Sequence, residues 1–453
     1  MAFSELQYAG QFEIEELKLF SSPKVFIDIK ELTMEVNIYE DIFKNALTGN
    51  IFVADTENLI SNLPIIGQET LSLKIKTPNF DEKGTNFDFR EEHKFNIFKI
   101  SLSTELSHSS NIYKLEFASP EILQNLRVRV SKSYTQNISD ITEDLLTNTK
   151  YIGTTKELHI EPTRGIRRYV CPNNHPYTVI QNLLKESISN EISSPHYLFF
   201  ENSRGIHFRS LQDLYKQPSS GHYHSSDYIR TNERLKEGAT HNTLLDMTRI
   251  LRYEMITNND MMVNIVGGML GSKNITHDIY NKNYATDEFD YFKDFDKYDR
   301  ISIGESNIVD NPRYFKIEDE YSKKNISSFP DSDIHLIPTS TSSGKDASHI
   351  NGSYTPSQLR DVILDRKSRW IELVKGIQVN FEAHGHTGLS AGDMINLVFP
   401  NPQKSDASED SSKYYKGRFL ITKIRHKFVN TTAETHLIII SAFRDSLPES
   451  LPV

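Results

Sequence analysis

Alternating apolar and polar residues recur through much of the chain. In QETLSLKIKTP, Leu71, Leu73 and Ile75 fall on one face of an extended segment, and Ser72 and Lys74 fall on the other. This period of two predicts a half-buried strand of an antiparallel sheet, because successive side chains of a strand point to opposite faces. Comparable patterns predict strands in VFIDI, LTMEVNIY, ALTGNIFVAD, FNIFKISLS, NIYKLEFAS, RILRYEMITN, MMVNIVGGML, IQVNFEA, DMINLVFP, RFLITKIRHKF and THLIIISAF.

Helical patterns lie between these groups of strands. Ser119 followed by Pro120 is typical of a helix start, with serine as the cap and proline at the first position. SDITEDLLTNT, HPYTVIQNLLKESI and TPSQLRDVILDRKSRWIEL predict three more helices, the last with Thr355 as its cap and Gln358 as a capping-box partner. HYLFFENSRGIHFRSL predicts a hairpin that turns at residues 202–205.

Polar stretches separate these elements and are predicted to be loops. They are residues 79–94, 216–248, 287–300, 325–354 and 403–413. The carboxylate pairs Glu91-Glu92 and Asp287-Glu288 lie within charged stretches. They are therefore interpreted as solvated surface rather than as catalytic pairs.

Two regions of the chain contain the same succession of predicted strands and turns. Gly67 precedes a strand that ends at Pro78, and Gly392 precedes a strand that ends at Pro400. The string Ile-x-Lys-Ile follows each of them, at residues 97–100 and again at 421–424. Two unrelated antiparallel meanders can look this alike; the alternative is a duplicated β-barrel domain whose second copy is interrupted by inserted residues. Three chains with two similar domains each would make a ring of six similar units.

Composition narrows the classes of function. The chain has 453 residues, a formal net charge of −10 and a single cysteine. The negative charge argues against a surface that grips nucleic-acid phosphates or anionic lipid, and one cysteine excludes an intrachain disulfide and a cysteine-based zinc site. No apolar stretch is long enough for a membrane span, and the first residues do not have the pattern of a secretory signal, so no membrane anchoring is expected.

Few residues are candidates for chemistry. Nucleophile-elbow, His-Glu-x-x-His and phosphate-loop motifs are all missing from the sequence. The glycines of residues 266–271 do not have the spacing that cradles a pyrophosphate, and they are interpreted as a tight turn or a bulge. His384 and His386 offer two imidazoles to a metal, but no third ligand is evident. The pair His222 and His224 is a weaker candidate, because it lies in a polar segment.

Cys171 with His175 is the one candidate nucleophile and base, although a buried structural thiol is the favoured interpretation. Trp370, the only tryptophan, is interpreted as a core or subunit contact. We therefore predict no catalytic, cofactor-binding or metal-binding residues and no enzymatic activity. A cell-wall hydrolase that uses Cys171 and His175, or the pair His384 and His386, remains an alternative.

Several strings resemble those of a known family. VNIYEDIFKNALTGNIFVADTENLISNLPIIGQETLSLKIKTP resembles the opening domain of central baseplate hub proteins of contractile-tailed phages. NHPYTVIQNLLKESISN and YLFFENSRGIHFRSLQDLY resemble that family's second domain. IVGGMLGSKNITHDIYNKNY, GLSAGDMINLVFP and YYKGRFLITKIRHKF resemble parts of its second barrel, which is also similar to the hub part of type VI secretion spike proteins.

This resemblance implies a mainly β protein of the α+β class. It would have two antiparallel β-barrel domains similar to tail-tube proteins and two smaller mixed α/β domains, with the second barrel interrupted by an insertion. The expected boundaries are a first barrel at 1–118, a mixed domain at 119–215, a linker and the first part of the second barrel at 216–299, an inserted domain at 300–374, and the rest of the second barrel at 375–453.

The resemblance also implies a function without catalysis. Three copies would form a pseudo-six-fold ring that joins the tail tube to a trimeric central spike, contacts baseplate wedge proteins, and has the tape measure protein as a further candidate partner. DNA would pass through the ring without specific binding, which suits a negatively charged chain. The expected location is the tail baseplate of a virion assembled in the host cytoplasm; a hub of a type VI or phage-like injection system is the alternative.

Overall fold

The computed structural model describes residues 6–22, 25–55, 65–78, 87–107, 110–224, 243–257, 260–278, 282–302, 310–339, 362–399, 414–431 and 434–451. As predicted, these residues form a mainly β protein with large antiparallel sheets. Buried apolar side chains fall into four clusters along the chain. The predicted domain boundaries stay predictions.

Eight strands form the N-terminal unit. They are β1 (Glu13–Ser22), β2 (Val25–Asp28), β3 (Thr33–Asp41), β4 (Thr48–Asp55), β5 (Thr70–Lys76), β6 (Phe87–Phe89), β7 (Phe95–Ser107) and β8 (Ser110–Ala118). They pair in the order β3-β4-β8-β7-β5-β1-β2, with β6 on β5, and every pair is antiparallel. Leu71, Leu73 and Ile75 are buried on one face, as their alternation predicts.

Two strands of this unit were not predicted. β1 has a mixed, strongly acidic sequence that hides its period of two, although Leu17 and Leu19 are buried. β6 lies inside the stretch 79–94 that was predicted to be a polar loop. That prediction is wrong for Phe87 and Phe89, which pack into the core of the unit because they alternate around the exposed Asp88.

A smaller central unit follows. It contains α1 (Pro120–Arg127), β9 (Ser133–Gln136), α2 (Ile138–Thr147), β10 (Leu158–Ile160), β11 (Arg167–Val170), α3 (Pro176–Leu184), β12 (Tyr197–Asn202), β13 (Gly205–Ser210) and α4 (Leu211–Tyr215). The sheet order is β10-β13-β12, and β9 pairs with β11. The predicted hairpin is present, and its Gly205 has a positive φ of 143° and lies against the Glu157 backbone, where a Cβ would collide.

The start of α1 differs from its prediction in one detail. The helix begins at Pro120 as expected, but Ser119 makes no side-chain capping bond to it. Its hydroxyl donates instead to the buried carboxylate of Glu201, at 2.8 Å. Glu201 also accepts a hydrogen bond from Leu47 N at 3.1 Å and pairs with Lys156 at 2.6 Å. Ser119 therefore helps to attach the central unit to the N-terminal unit.

The next elements include an insertion. They are β14 (Ser219–His224), α5 (Thr243–Met247), β15 (Ile250–Thr257), α6 (Met261–Val266), β16 (Gly271–Asp278), β17 (Asn283–Asp290), β18 (Ile334–Thr339) and α7 (Ile363–Lys375). Strands β16–β18 form a separate sheet in the order β17-β16-β18. With α6 and α7 this sheet makes up the inserted unit.

Four predictions fail in this part of the chain. Residues 325–354 were predicted to be a loop, but residues 334–339 form β18, which pairs with β16. MMVNIVGGML is not a strand, because Asp260 caps the helix α6 by accepting from Val263 N at 3.0 Å. Residues 219–224, predicted to be irregular, form β14. Residues 287–300 are not a solvated loop, since four of their aromatic side chains are buried in the core of the inserted unit: Phe289, Tyr291, Phe292 and Phe295.

Helix α7 confirms the last predicted helix from Ile363 onward, and it includes Trp370 and Leu373. The predicted cap Thr355 and its partner Gln358 lie outside the described residues, as do the predicted loop 403–413 and part of 325–354.

The final strands complete the C-terminal unit. They are β19 (Ile377–His384), β20 (Met394–Val398), β21 (Gly417–Val429) and β22 (Thr435–Arg444), all of which were predicted. With β15 they pair in the order β15-β19-β22-β21-β20, every pair being antiparallel, and β14 adds to β20 in parallel.

The two units repeat one strand order. In both units five strands pair in the same order, and they also follow one another along the chain in the same order. The order of pairing is β3-β4-β8-β7-β5 in the N-terminal unit and β15-β19-β22-β21-β20 in the C-terminal unit. The register repeats as well. Four cross-strand pairs of the N-terminal unit have a counterpart at the same place in the C-terminal unit. Thr70–Asn96 corresponds to Met394–Leu420, Ile97–Phe117 to Ile421–Ala442, Thr48–Ala118 to Gln378–Phe443, and Thr33–Val53 to Ile250–Ala383.

Irregularities of the ladders repeat too. A register shift falls between Ile97 and Lys99, and its counterpart falls between Ile421 and Lys423. Both lie inside the shared Ile-x-Lys-Ile string, so the string marks a β-bulge that is present in both copies of the repeat. Closure into barrels is not observed, because among the described strands no ladder joins the ends of either set. In the C-terminal unit a single bridge, His224 to Arg249, links β14 to the residue before β15.

Candidate assembly interface

The two repeated units are joined edge to edge within the chain. β21 of the C-terminal unit pairs with β3 of the N-terminal unit over seven residue pairs, from Lys423–Asp41 to Val429–Glu35. Both units therefore belong to one continuous sheet. The junction is the only strand pairing between the two repeat units in the described part of the structure, and it provides a template for contacts between chains.

One face of this junction is a shared core. Phe428 is completely buried and packs among the apolar side chains of the N-terminal unit, although it belongs to the C-terminal unit. Its ring lies 5.3 Å from the ring of Phe12 and 6.0 Å from that of Phe87. The ring centroid of His426, on the same face, lies 4.8 Å from that of Phe87. The two units therefore fold against each other rather than as separate bodies.

The other face carries opposite charges. Arg425 donates from Nε to Asn37 Oδ1 at 2.9 Å and pairs with Glu35 at 3.3 Å. Lys427 also pairs with Glu35 at 3.3 Å, and Lys423 pairs with Asp41 at 3.5 Å. Partly exposed pairs of this kind stabilise a protein by about 0.2–1 kcal/mol each, so they define the register of the junction more than they add to its strength.

A buried carboxylate lies at one end of the junction. Glu40 accepts hydrogen bonds from Ala391 N at 2.7 Å and from Ser203 N at 2.9 Å. Burial raises the pKa of Glu40 to about 7, against the lowering effect of these two donors. Since Ser203 belongs to the β12–β13 turn and Ala391 precedes β20, this one side chain connects three units.

An Arg–Asp pair reinforces the same place. Arg204, next to Ser203, forms two hydrogen bonds with the carboxylate of Asp393, at 2.7 and 2.8 Å. Asp393 in turn accepts from Ser390 N at 3.0 Å, as its counterpart Glu69 accepts from Ile66 N at 2.7 Å. The acidic residue before β5 and β20 is therefore another repeated feature.

Two edges of the repeat have no equivalent partner within the chain. β7 corresponds to β21, yet beyond Asn96 it pairs only with β8 among the described strands. β15 corresponds to β3, yet among the described strands it pairs only with β19. Corresponding side chains differ in exposure, as expected when β15 lacks the neighbouring strand that β3 has. Val36 on β3 is 0% exposed, whereas its counterpart Tyr253 on β15 is 41% exposed.

The predicted nucleophile and base do not meet as a catalytic pair. Cys171 is 2% exposed, and burial raises the pKa of its thiol. The Nδ1 of His175 lies 2.9 Å from the backbone oxygen of Val128, which the ring contacts instead of a thiol. A buried, protonated thiol is a poor nucleophile, so the geometry gives the hydrolase alternative no support here.

We expect this thiol to be inert in the folded chain. Cys171 should react with a disulfide reagent such as DTNB only after denaturant is added, because the reagent cannot reach a buried thiol. The unfolded chain provides the positive control in the same cuvette. Stoichiometric labelling of the native protein within minutes would contradict the buried position and reopen the question of reactivity.

The predicted histidine pair lies in a larger group of imidazoles. His384 ends β19 and His386 follows it, close to His426 and His436, which were not singled out from the sequence. Nδ1 of His426 lies 3.1 Å from Nε2 of His436. In the described part of the chain no three His, Cys, Asp or Glu side chains are arranged to hold a metal ion. No sequence motif links these four residues, because β19, β21 and β22 come together only in the folded sheet.

The remaining candidates are surface or turn residues. Trp370 is about half exposed on α7 and lies edge-to-face with Phe43, at 5.7 Å between ring centroids. His222 and His224 project from β14 toward solvent. Gly268 has a positive φ of 72°, which confirms the predicted tight turn. No helix in the described ranges is long and apolar enough to cross a bilayer.

Comparison with known proteins establishes the class of fold. No protein-family model and no curated protein matches the chain. The tail protein from Neisseria meningitidis MC58 is 8% identical, with 96% of this chain and 97% of that chain covered at a TM-score of 0.52. The 43 kDa tail protein of prophage MuSo2 from Shewanella oneidensis is 9% identical, with 95% and 98% covered at a TM-score of 0.51. The chain has the fold of phage tail proteins, which confirms the predicted resemblance at the level of the fold.

Proposed function

We propose that this chain is a structural subunit of a contractile-tail baseplate hub. Three copies form a ring with pseudo-six-fold symmetry that joins the tail tube to a trimeric central spike and leaves a channel for DNA. The subunit assembles with tube, spike and wedge proteins in the host cytoplasm and remains in the tail baseplate of the virion. It has no catalytic role of its own.

One observation supports this proposal above all others. The chain carries two units with the same strand order, register and bulge, joined through β21 and β3. Three such chains present six similar units in a closed ring, which can continue a six-fold tube on one face and match a three-fold spike on the other.

The mass of the assembled protein tests the proposal. We expect the purified full-length chain to elute as a species of three times the monomer mass in size-exclusion chromatography with light scattering. Class averages by cryo-electron microscopy should show a ring with three-fold symmetry and six similar lobes. A chain that stays monomeric at all accessible concentrations, or forms a two-fold dimer, contradicts the proposed ring.

A further inference from the structure

We propose that β7 of one copy pairs antiparallel with β15 of the next copy, in a register that places Ser101 opposite Ile256. This inference rests on the proposed ring and names the strands that close it. The partner is a second copy of this chain, and the contact is heterologous, so that each copy contributes β7 to one neighbour and β15 to the other.

The register follows from the junction inside the chain. Arg425 on β21 lies opposite Tyr39 on β3. The repeat assigns Ser101 to the position of Arg425, because Ser101 pairs with Lys114 as Arg425 pairs with Ile439. It likewise assigns Ile256 to the position of Tyr39, because Tyr39 pairs with Thr48 as Ile256 pairs with Gln378.

The two edges are available for this pairing. β7 and β15 are the counterparts of the two strands that join inside the chain, and each has an edge without a strand partner among the described residues. An exposed edge presents unpaired backbone groups and readily accepts another strand. β15 also leaves Tyr253 exposed, at the position where Val36 of β3 pairs with Phe428 of β21.

The equivalence ends at a second irregularity of β7. Beyond Ser101 the β7–β8 ladder shifts again before Thr104, whereas the β21–β22 ladder continues evenly to Val429. The register of β21 therefore carries over to β7 only from Lys99 to Ser101. Arg425 forms an ion pair with Glu35 inside the chain, whereas the predicted contact has uncharged Ser101 at that position. We therefore expect the contact between copies to depend less on salt than the internal junction does.

Disulfide trapping tests the register. In a Cys171→Ser background, the double variant Ser101→Cys/Ile256→Cys should oxidise to covalent dimers and trimers and to nothing larger. Residues directly opposite in an antiparallel pair have Cα atoms about 4.5–5.5 Å apart, which is within the range a disulfide spans. Mixing the two single variants should give covalent dimers only, which shows that the bond joins different chains.

Two matched variants control the result. Tyr39→Cys/Arg425→Cys, the equivalent pair inside the chain, should form a disulfide within the monomer and no covalent oligomer. Ser101→Cys/Tyr253→Cys moves one thiol three residues, about 10 Å along the strand, and should not form covalent oligomers.

The outcomes separate this inference from the proposed function. Trimers that oxidise at the Ser101/Ile256 pair support both. Trimers that stay unlinked at this pair, or that link through Tyr253, overturn the strand register and leave the ring intact. A chain that is monomeric by light scattering, with the single variants as folded as the parent by circular dichroism, contradicts the ring itself.

Discussion

Replacing Phe428 by alanine should destabilise the protein by about 3–5 kcal/mol and open the junction between the two repeat units. The side chain is fully buried, and its ring fills the core of a unit to which its own strand does not belong. Truncation of a buried phenylalanine removes its burial and leaves a cavity, and both effects oppose folding. The loss can be measured from denaturant unfolding monitored by circular dichroism.

A second variant distinguishes the junction from a general loss of core packing. Phe419→Ala removes an equally buried ring from the same strand, but one that belongs to the core cluster of its own C-terminal unit and not to that of the N-terminal unit. Both variants should lose stability, whereas only Phe428→Ala should speed amide hydrogen exchange in residues 35–41, which pair with β21. Equal exchange in the two variants, or a cost below about 1 kcal/mol for Phe428→Ala, would show that the junction does not depend on this ring.

The sequence predicted the repeat from a short string and a common rhythm, and the folded chain explains why that signal was present. Each copy of Ile-x-Lys-Ile contains a register shift of its ladder, at residues 97–99 and 421–423, so the string coincides with a bulge that recurs in the repeat. Gly67 and Gly392 were also part of the signal, and both have positive φ, at 86° and 95°. The two glycines are nevertheless not exact counterparts. Glu69 corresponds to Asp393 in the repeat, which places Gly67 one position before the counterpart of Gly392.

What the sequence could not show is how the repeats meet. Pairing of β21 with β3 brings together residues almost 400 positions apart, and alternation within a strand says nothing about which strand lies beside it. Phe428 looks like a core residue of its own unit, and only the fold places it in the other. The same holds for Glu40, whose backbone partners come from two other units.

Failures of prediction have local physical causes. MMVNIVGGML is too short for its apolar run to separate a strand from a helix, and the capping bond of Asp260 decides in favour of the helix. In residues 287–300 the acidic residues suggested exposure, while the aromatic residues between them formed a core. The prediction therefore gave too much weight to the acidic residues of this stretch and too little to its aromatic residues.

Lowering the pH should weaken this fold through its buried histidines. Burial lowers the pKa of His386 to about 4 and that of His426 to about 3, and it lowers the pKa of His436 well below its ordinary value. Below the unfolded pKa of roughly 6.5 the unfolded chain binds protons that the folded chain does not. The contribution of these three histidines to the free energy of unfolding is therefore fully present above about pH 6.5 and is lost as the pH falls toward their folded pKa values.

Two buried carboxylates act in the opposite direction. Burial raises the pKa of Glu40 and of Glu372 to about 7, so between about pH 4.5 and pH 7 the folded chain binds protons that the unfolded chain does not. These groups add stability as the pH falls in that range. Other groups also contribute to the total pH dependence, since burial raises the pKa of Asp393 and hydrogen bonds from Lys74 and Lys76 lower that of Glu15. A comparison of variants is therefore needed to isolate one imidazole.

The variant His426→Leu provides that comparison. It removes one buried imidazole, so the free energy of unfolding should depend on pH less steeply than in the parent, by about 1.4 kcal/mol per pH unit between pH 6.5 and pH 4. The exposed His224 on β14 supplies the matched control His224→Leu, which should keep the slope of the parent. Denaturant unfolding at half-unit steps of pH measures all three slopes. If His426→Leu kept the parent's slope while it lowered stability at every pH, His426 would not be a neutral, buried group in the folded chain.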